Sequence, residues 1–129
     1  MADWTWVALE VAVAAHEEQL VEHGGATGIR DPGMLESAMS RPLNLVAYGE
    51  PDAAELAAAY AFGIARNHPF VDGNKRTAAV VSETFLIFNG FLLTCDDDEL
   101  VGTFLRLAAG ELGPDQLARW FRRWIVPLR

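Results

Sequence analysis

His68, Asp72, Asn74, Lys75 and Arg76 fall within one nine-residue run, His68-Pro69-Phe70-Val71-Asp72-Gly73-Asn74-Lys75-Arg76. Each of these types has a defined chemical use. An imidazole, with an unperturbed pKa of ~6.5, can accept a proton from an attacking hydroxyl. A carboxylate beside bound phosphates is the usual protein ligand of Mg²⁺, which keeps several waters and bridges phosphate oxygens. Lys75 and Arg76 fall in the first turn of a predicted helix. The helix dipole places partial positive charge there, so two cations cost roughly a few tenths of a kcal/mol each. Places where a sequence breaks a local rule are often functional. A bound anion removes the conflict, since it meets free backbone N–H groups, the dipole and two side-chain charges, and Gly73 permits close backbone approach. The pattern is that of a phosphate site, with Asp72 as the metal ligand beside it and His68 as a base on the same loop. Phe70, between them, is the apolar anchor expected to pin the loop to the core, and Arg66, just before the turn, adds a further charge.

Taken singly, each residue also has a plain structural explanation. His68 can cap a helix end, Asp72-Gly73 can be an ordinary turn, and Lys75 and Arg76 can be solvated surface charges. The combination at this spacing is what favours chemistry. A zinc site on His68 and Asp72 is poorly supported, because two ligands with no third make a weak zinc site.

Composition narrows the class of protein. A length of 129 residues favours one domain, taken as residues 1–129, and 51% hydrophobic residues are enough for an ordinary core. One cysteine, Cys95, allows no internal disulfide, which fits a reducing cytoplasm. The net charge of −8 argues against a general nucleic-acid binder, but leaves room for a small phosphate-bearing ligand in a locally positive pocket. Of ten basic residues the only lysine is Lys75. The start, Met1 to Glu10, has no basic region before an apolar run, so no leader is expected. The most apolar stretch, Thr77 to Cys95, contains Glu83, Asn89 and Gly90 and reads as a buried helix plus a short extended piece, not a membrane span.

The elements that must position these residues read as helix after helix. Thr5 is expected to cap a first helix to about Glu22, with Trp6, Leu9, Val13, His16 and Leu20 on one face and Gly24-Gly25 as its stop. His16 on that apolar face is expected to be a buried, hydrogen-bonded structural residue. Asp31-Pro32 opens a second helix expected to end near Arg41, before Pro42, with a loop over 43–51. Asp52 and Glu55 form a capping-box-like pair ahead of an alanine-rich helix to about Asn67. Pro69 disfavours a helical His68, so the chain turns there. The next helix is expected from Asn74, read as its cap, to Asn89-Gly90. Phe91 to Cys95 is a short strand or a loop. Asp96 and Glu99 open a helix to about Ala109-Gly110, and Gly113-Pro114 a last one through Trp124. In the run from Arg119 to Trp124, aromatics are expected in the core and arginines in water. The fold class is all-α, about six helices in a bundle-like arrangement, with the chemical loop between two central helices.

The segment HPFVDGNKRTA resembles the active-site signature of the Fic/Doc family: His, any residue, Phe, any residue, an acid, a small residue, Asn, Gly or Lys, then Arg. HGGATGIRDPGMLESAMSRP (His23 to Pro42), AYAFGIARNH (Ala59 to His68) and LAAGEL (Leu107 to Leu112) are also similar to proteins of its death-on-curing (Doc) type, so the resemblance covers most of the chain. It implies a small helical Fic/Doc fold, His68 as general base and Asp72 as the Mg²⁺ ligand. Gly73, Asn74, Lys75 and Arg76 would hold nucleotide phosphates, and Arg66 matches a basic position that precedes the His. Members transfer part of a nucleotide to a hydroxyl of a target protein. Most attach AMP, whereas Doc-type toxins transfer the γ-phosphate of ATP to a threonine of elongation factor Tu and stop translation.

Two departures bear on the subclass. AMP-transferring members usually have Gly where this chain has Lys75 and a second Arg where it has Ala79. Both differences favour the kinase-like Doc reading, with AMP transfer by the same loop, or a catalytically silent binding module, as the alternatives. Many members carry an inhibitory Ser/Thr-x-x-x-Glu helix, but no Ser or Thr here has Glu four residues later. Inhibition is then expected from another chain, a Phd-like antitoxin folding a disordered segment onto the toxin. The expected setting is cytoplasmic, with ATP and Mg²⁺ required and no nucleic acid or membrane as partner.

Overall fold

The structure, a computed structural model, describes residues 3–128. Six helices follow in order: α1 (Leu9–His23), α2 (Pro32–Tyr48), α3 (Ala53–Asn67), α4 (Asn74–Phe88), α5 (Asp97–Ala108) and α6 (Pro114–Trp124). Two short strands, β1 (Phe91–Leu93) and β2 (Ile125–Pro127), pair antiparallel with Leu92 opposite Val126. The all-α class is therefore right, with one small ribbon added. No described helix is long and apolar enough to cross a membrane.

At the centre is α3, which packs against α2, α4, α5 and α6. Its composition explains the position. Ala53, Ala54, Ala57, Ala58, Ala59, Ala61 and Ala65 are all buried, so neighbouring helices can approach it from several sides without large side chains intervening. Its start is fixed by the expected capping box, Asp52 accepting from the Glu55 N–H at 2.9 Å and Glu55 from the Asp52 N–H at 3.0 Å. Asp52 also takes Arg122 of α6 in a two-point ion pair at 2.8 and 3.1 Å, which ties the last helix to the central one. In that terminal run the arginines divide from the aromatics in part as expected: Arg119, Arg122 and Arg123 are exposed and Phe121 is buried, but Trp120 and Trp124 are only partly buried.

Three expectations fail for identifiable reasons. Thr5 does not cap α1, which starts at Leu9. Its backbone is held by the Asn89 amide, N–H to Oδ1 at 2.8 Å and C=O from Nδ2 at 2.9 Å. An extended segment lets both Trp4 and Trp6 reach the Phe85 ring, with centroids 5.9 and 6.0 Å away. Second, α2 does not stop before Pro42 but runs through it to Tyr48, so most of the expected 43–51 loop is helical. Pro42 is buried, and packing of the helix outweighs the missing N–H. The Ala38 carbonyl, which would have accepted that N–H, lies against Gly63 of α3. Third, Asn74 is the first residue of α4 and not its cap; Gly73 occupies that place in a left-handed conformation, φ 77°. The last helix ends at Trp124 as expected, and the chain after it forms β2, which pairs with β1. Glu99 N–H is capped by Asp96 at 2.8 Å, while the Glu99 carboxylate reaches the Trp120 indole N–H, also at 2.8 Å.

Gly63 sets the distance between α2 and α3. A Cβ there would fall 3.1 Å from Ala38 Cα and 3.2 Å from Ala38 Cβ and O. These are mostly backbone atoms, which cannot swing aside. Gly63→Ala should therefore destabilise the fold by about 1–3 kcal/mol despite alanine's better helix propensity. Urea unfolding checks this, and a neutral or stabilising result would mean that the helices separate freely.

Candidate active site

The turn from His68 to Gly73 joins α3 to α4, and three anchors fix it. Phe70 is fully buried, its ring stacked on His16 of α1 with centroids 3.9 Å apart and planes 8° from parallel. The Asn74 side chain clamps the Phe70 backbone at both groups, accepting its N–H at 3.0 Å and donating to its carbonyl at 2.9 Å. His16 lies 2.8 Å from the Asp72 carbonyl through Nε2, and since a carbonyl can only accept, that nitrogen carries the proton. His16 is thus the buried, hydrogen-bonded structural residue expected of it, 2% exposed. The residues before α2 brace the turn from the other side. Val71 N–H donates to Gly28 O, and the Arg30 and Asp31 N–H groups donate to Pro69 O. The Arg30 guanidinium donates to the carbonyls of His68 at 2.7 Å and Asn67 at 2.8 Å. The sequence reading missed Arg30, because its partners are backbone carbonyls and leave no mark on residue type.

His68 is the only non-glycine with positive φ among the described residues, φ 52° and ψ 53°. It ends α3 in the left-handed form that usually falls to glycine, at a cost of roughly 1–2 kcal/mol. The Arg30 bonds and Pro69 after it hold that geometry, and the imidazole stays exposed. Strain retained at a non-glycine position is a mark of function.

Asp72 is also exposed, and its carboxylate has a defined seat. Gly73 N–H donates to Oδ1 at 2.9 Å and Ala26 N–H approaches Oδ2 at 3.3 Å. These two backbone donors, the first foremost, hold the carboxyl below its ordinary range, with the charge of Arg76 adding to the effect. Gly25 is what lets the carboxylate lie there: a Cβ on it would come 2.9 Å from Asp72 Oδ2, and its φ is +123°.

α4 begins with no side-chain cap and no acid in its first turn. The N–H groups of Asn74, Lys75 and Arg76 precede the first helical hydrogen bond, from Thr77 N–H to Gly73 O. Lys75 and Arg76 are exposed and make no ion pair among the described residues.

His68, Asp72, Gly73, Asn74, Lys75 and Arg76 all line one cleft of ≈ 780 Å³. Phe70 lies beneath it in the core. Asn74 faces it mainly through its backbone, since its side chain is engaged with Phe70. Arg66 is not brought there: it lies over the Phe62 ring, 5.5 Å from the centroid, and near Gly110. The sequence reading also missed the rest of the lining. Gln19 and His23 come from α1, and α5 supplies Leu100, Val101, Phe104, Leu105 and Ala108 as an apolar wall. That wall follows helical spacing, which by itself carries no chemical signal. No group of three or more His, Cys, Asp or Glu that could hold a metal occurs among the described residues. A lone, ionised, exposed carboxylate suits Mg²⁺ bound largely through phosphate and water, and does not suit zinc.

If the turn carries strain, replacing His68 should expose it. His68→Gly should be more stable than His68→Ala by about 1 kcal/mol, because only glycine adopts this φ freely. Equal midpoints in chemical denaturation would show that the turn is unstrained.

Residues 6–86 match the Fic/DOC family. The chain is 36% identical over 115 residues to a protein named "Protein kinase doc" from Escherichia phage P1, covering 88% of this chain and 90% of that protein. It is 44% identical over 81 residues to "Toxin Doc" of Mycolicibacterium smegmatis, covering 60% of this chain and 62% of that protein.

Proposed function

The chain belongs to the Fic/Doc family, and from that membership we propose that it is a Doc-type toxin that transfers the γ-phosphate of ATP to a Ser or Thr hydroxyl of a protein. The observation that carries the reading is the convergence, on one cleft, of an uncapped helix start, two cations with no ion pair among the described residues, an ionised carboxylate and a strained histidine. The reading takes residues 1–129 as one Fic/Doc domain.

Gly73, Asn74, Lys75 and Arg76 receive the phosphates through the first-turn N–H groups and two side-chain charges. Asp72, seated against Gly25, holds Mg²⁺, which when bound offsets phosphate charge. His68, neutral before reaction, takes the proton of the target hydroxyl as its oxygen bonds to the γ-phosphorus. The bond from that phosphorus to the β–γ bridging oxygen breaks, ADP leaves, and His68 returns its proton to solvent. Arg66 has no part in this account, because it lies outside the cleft.

Transfer of phosphate, as against AMP, is supported by two positions. Lys75 adds charge at the helix start, and Ala79, four residues on, lines the cleft where AMP-transferring relatives carry a second arginine. A relative over most of the chain bears the name of a protein kinase. Elongation factor Tu in the cytoplasm is the proposed target.

ATP labelled on the γ-phosphate should label elongation factor Tu, ATP labelled on the α-phosphate should not, and His68→Ala should lower the rate at least about 100-fold. Label from the α-position alone would replace kinase by AMP transferase. Toxicity undiminished by His68→Ala would leave a silent binding module.

Control is proposed to come from a Phd-like antitoxin, since the chain carries no inhibitory motif of its own. The small protein encoded beside it should form a complex with the purified toxin and stop the transfer. Absence of both complex and inhibition would overturn this assignment.

A further inference from the structure

Arg76, Ala79, Val80 and Glu83 recur on α4 at intervals of three and four, so they form one stripe, and all four line the cleft. Glu83 lies roughly 10 Å along the helix from Arg76, at ~1.5 Å per residue. That is comparable to the reach from the terminal phosphates of a nucleotide to its sugar. The opposite wall, from α5, is apolar between its ends and begins with Asp97, which faces Glu83.

Nothing in the fold accounts for Glu83. It is half-buried, and among the described residues no hydrogen bond or cation supports its carboxylate. Burial and the like charge of Asp97 push its carboxyl above the ordinary range. A carboxylate held in a cleft against an apolar wall, with a like charge opposite, lacks donors that a ligand can supply. A ribose offers two adjacent O–H donors, and a carboxylate offers two oxygens to accept them, the same match by which an acidic residue reads a ribose in dinucleotide sites.

We propose that Glu83 reads the sugar of the nucleotide, its carboxylate accepting the 2′- and 3′-hydroxyls of the bound nucleotide's ribose. The assignment rests on the nucleotide reading of the cleft. It orients the ligand along α4, phosphates at the His68 turn and sugar two turns further on, with the base against the α5 wall.

Calorimetric binding with Mg²⁺ present tests it. The wild-type protein should bind ATP at least about tenfold more tightly than 2′-deoxy-ATP or 3′-deoxy-ATP, the loss expected for a hydrogen bond to a charged group. Glu83→Leu should bind ATP and both deoxy nucleotides alike, and it should melt no lower than wild type, because an unsupported carboxylate is removed. Equal binding of ATP and the deoxy nucleotides by the wild type would overturn the assignment and leave the phosphate site standing. So would discrimination that persists in Glu83→Leu, or that is found against inosine triphosphate in place of the deoxy forms. A lower melting temperature would make Glu83 a structural residue and overturn it likewise. No ATP binding by the wild type would overturn both this inference and the nucleotide reading beneath it.

Discussion

The Phe70 ring, stacked on His16 and sealed from solvent, is what the rest of the site depends on. Between His68 and Asp72 the chain has few ways to hold position, since the turn between α3 and α4 is too short for secondary structure of its own. Burying one large ring supplies roughly 1.5–3 kcal/mol of apolar transfer free energy. The Asn74 amide then converts that anchorage into a fixed backbone by taking both polar groups of Phe70. With Phe70 immobile, the residues two positions before and after it point outward into one cleft. A buried polar network with every member satisfied gives a single geometry, which a reaction needing a base and phosphate ligands in register requires.

The central helix sets where that turn occurs. Its alanines allow close approach on several sides, and Gly63 allows contact with the Ala38 backbone. The His68 turn is thus attached to the most buried element of the fold, and the opening helix of the cleft grows directly from it. The apolar α5 wall faces α4 across the cleft without intervening loops. The site is built almost wholly on helix surfaces, and one connection carries its chemistry.

The chemical loop was legible in the sequence because residue types and spacing carry it. Two cations in the first turn of a helix break a local rule, and that conflict can be read without coordinates. Backbone-directed interactions were not legible. Arg30 acts on carbonyls, and Asn74 gives its side chain to Phe70 where a helix cap was expected. Pro42 was read as a stop because local propensity disfavours it, but burial against α3 outweighs one missing hydrogen bond. Thr5 was read as a cap on equally local grounds, whereas two tryptophans reaching for Phe85 keep that segment extended. Arg66 shows the limit of closeness in sequence: it leaves α3 over the Phe62 ring and does not line the cleft. Strand β2 is three residues long and gains its pairing only from β1, more than thirty residues away, so no local pattern marks it.

The Asn89-Gly90 turn has a consequence for how this unit connects to anything else. Asn89 holds Thr5, and the Gly90 carbonyl accepts Leu128 N–H at 2.9 Å. Both outer segments are therefore moored at the same end of α4, about 22 Å from the residues that begin it, at ~1.5 Å per residue. Polypeptide joined at either side would emerge from the pole opposite the His68 turn, so a carrier, label or surface linkage can be placed there while the turn stays open. The two moorings also lie close enough together that a short bridge could close the chain into a circle, with new ends cut elsewhere.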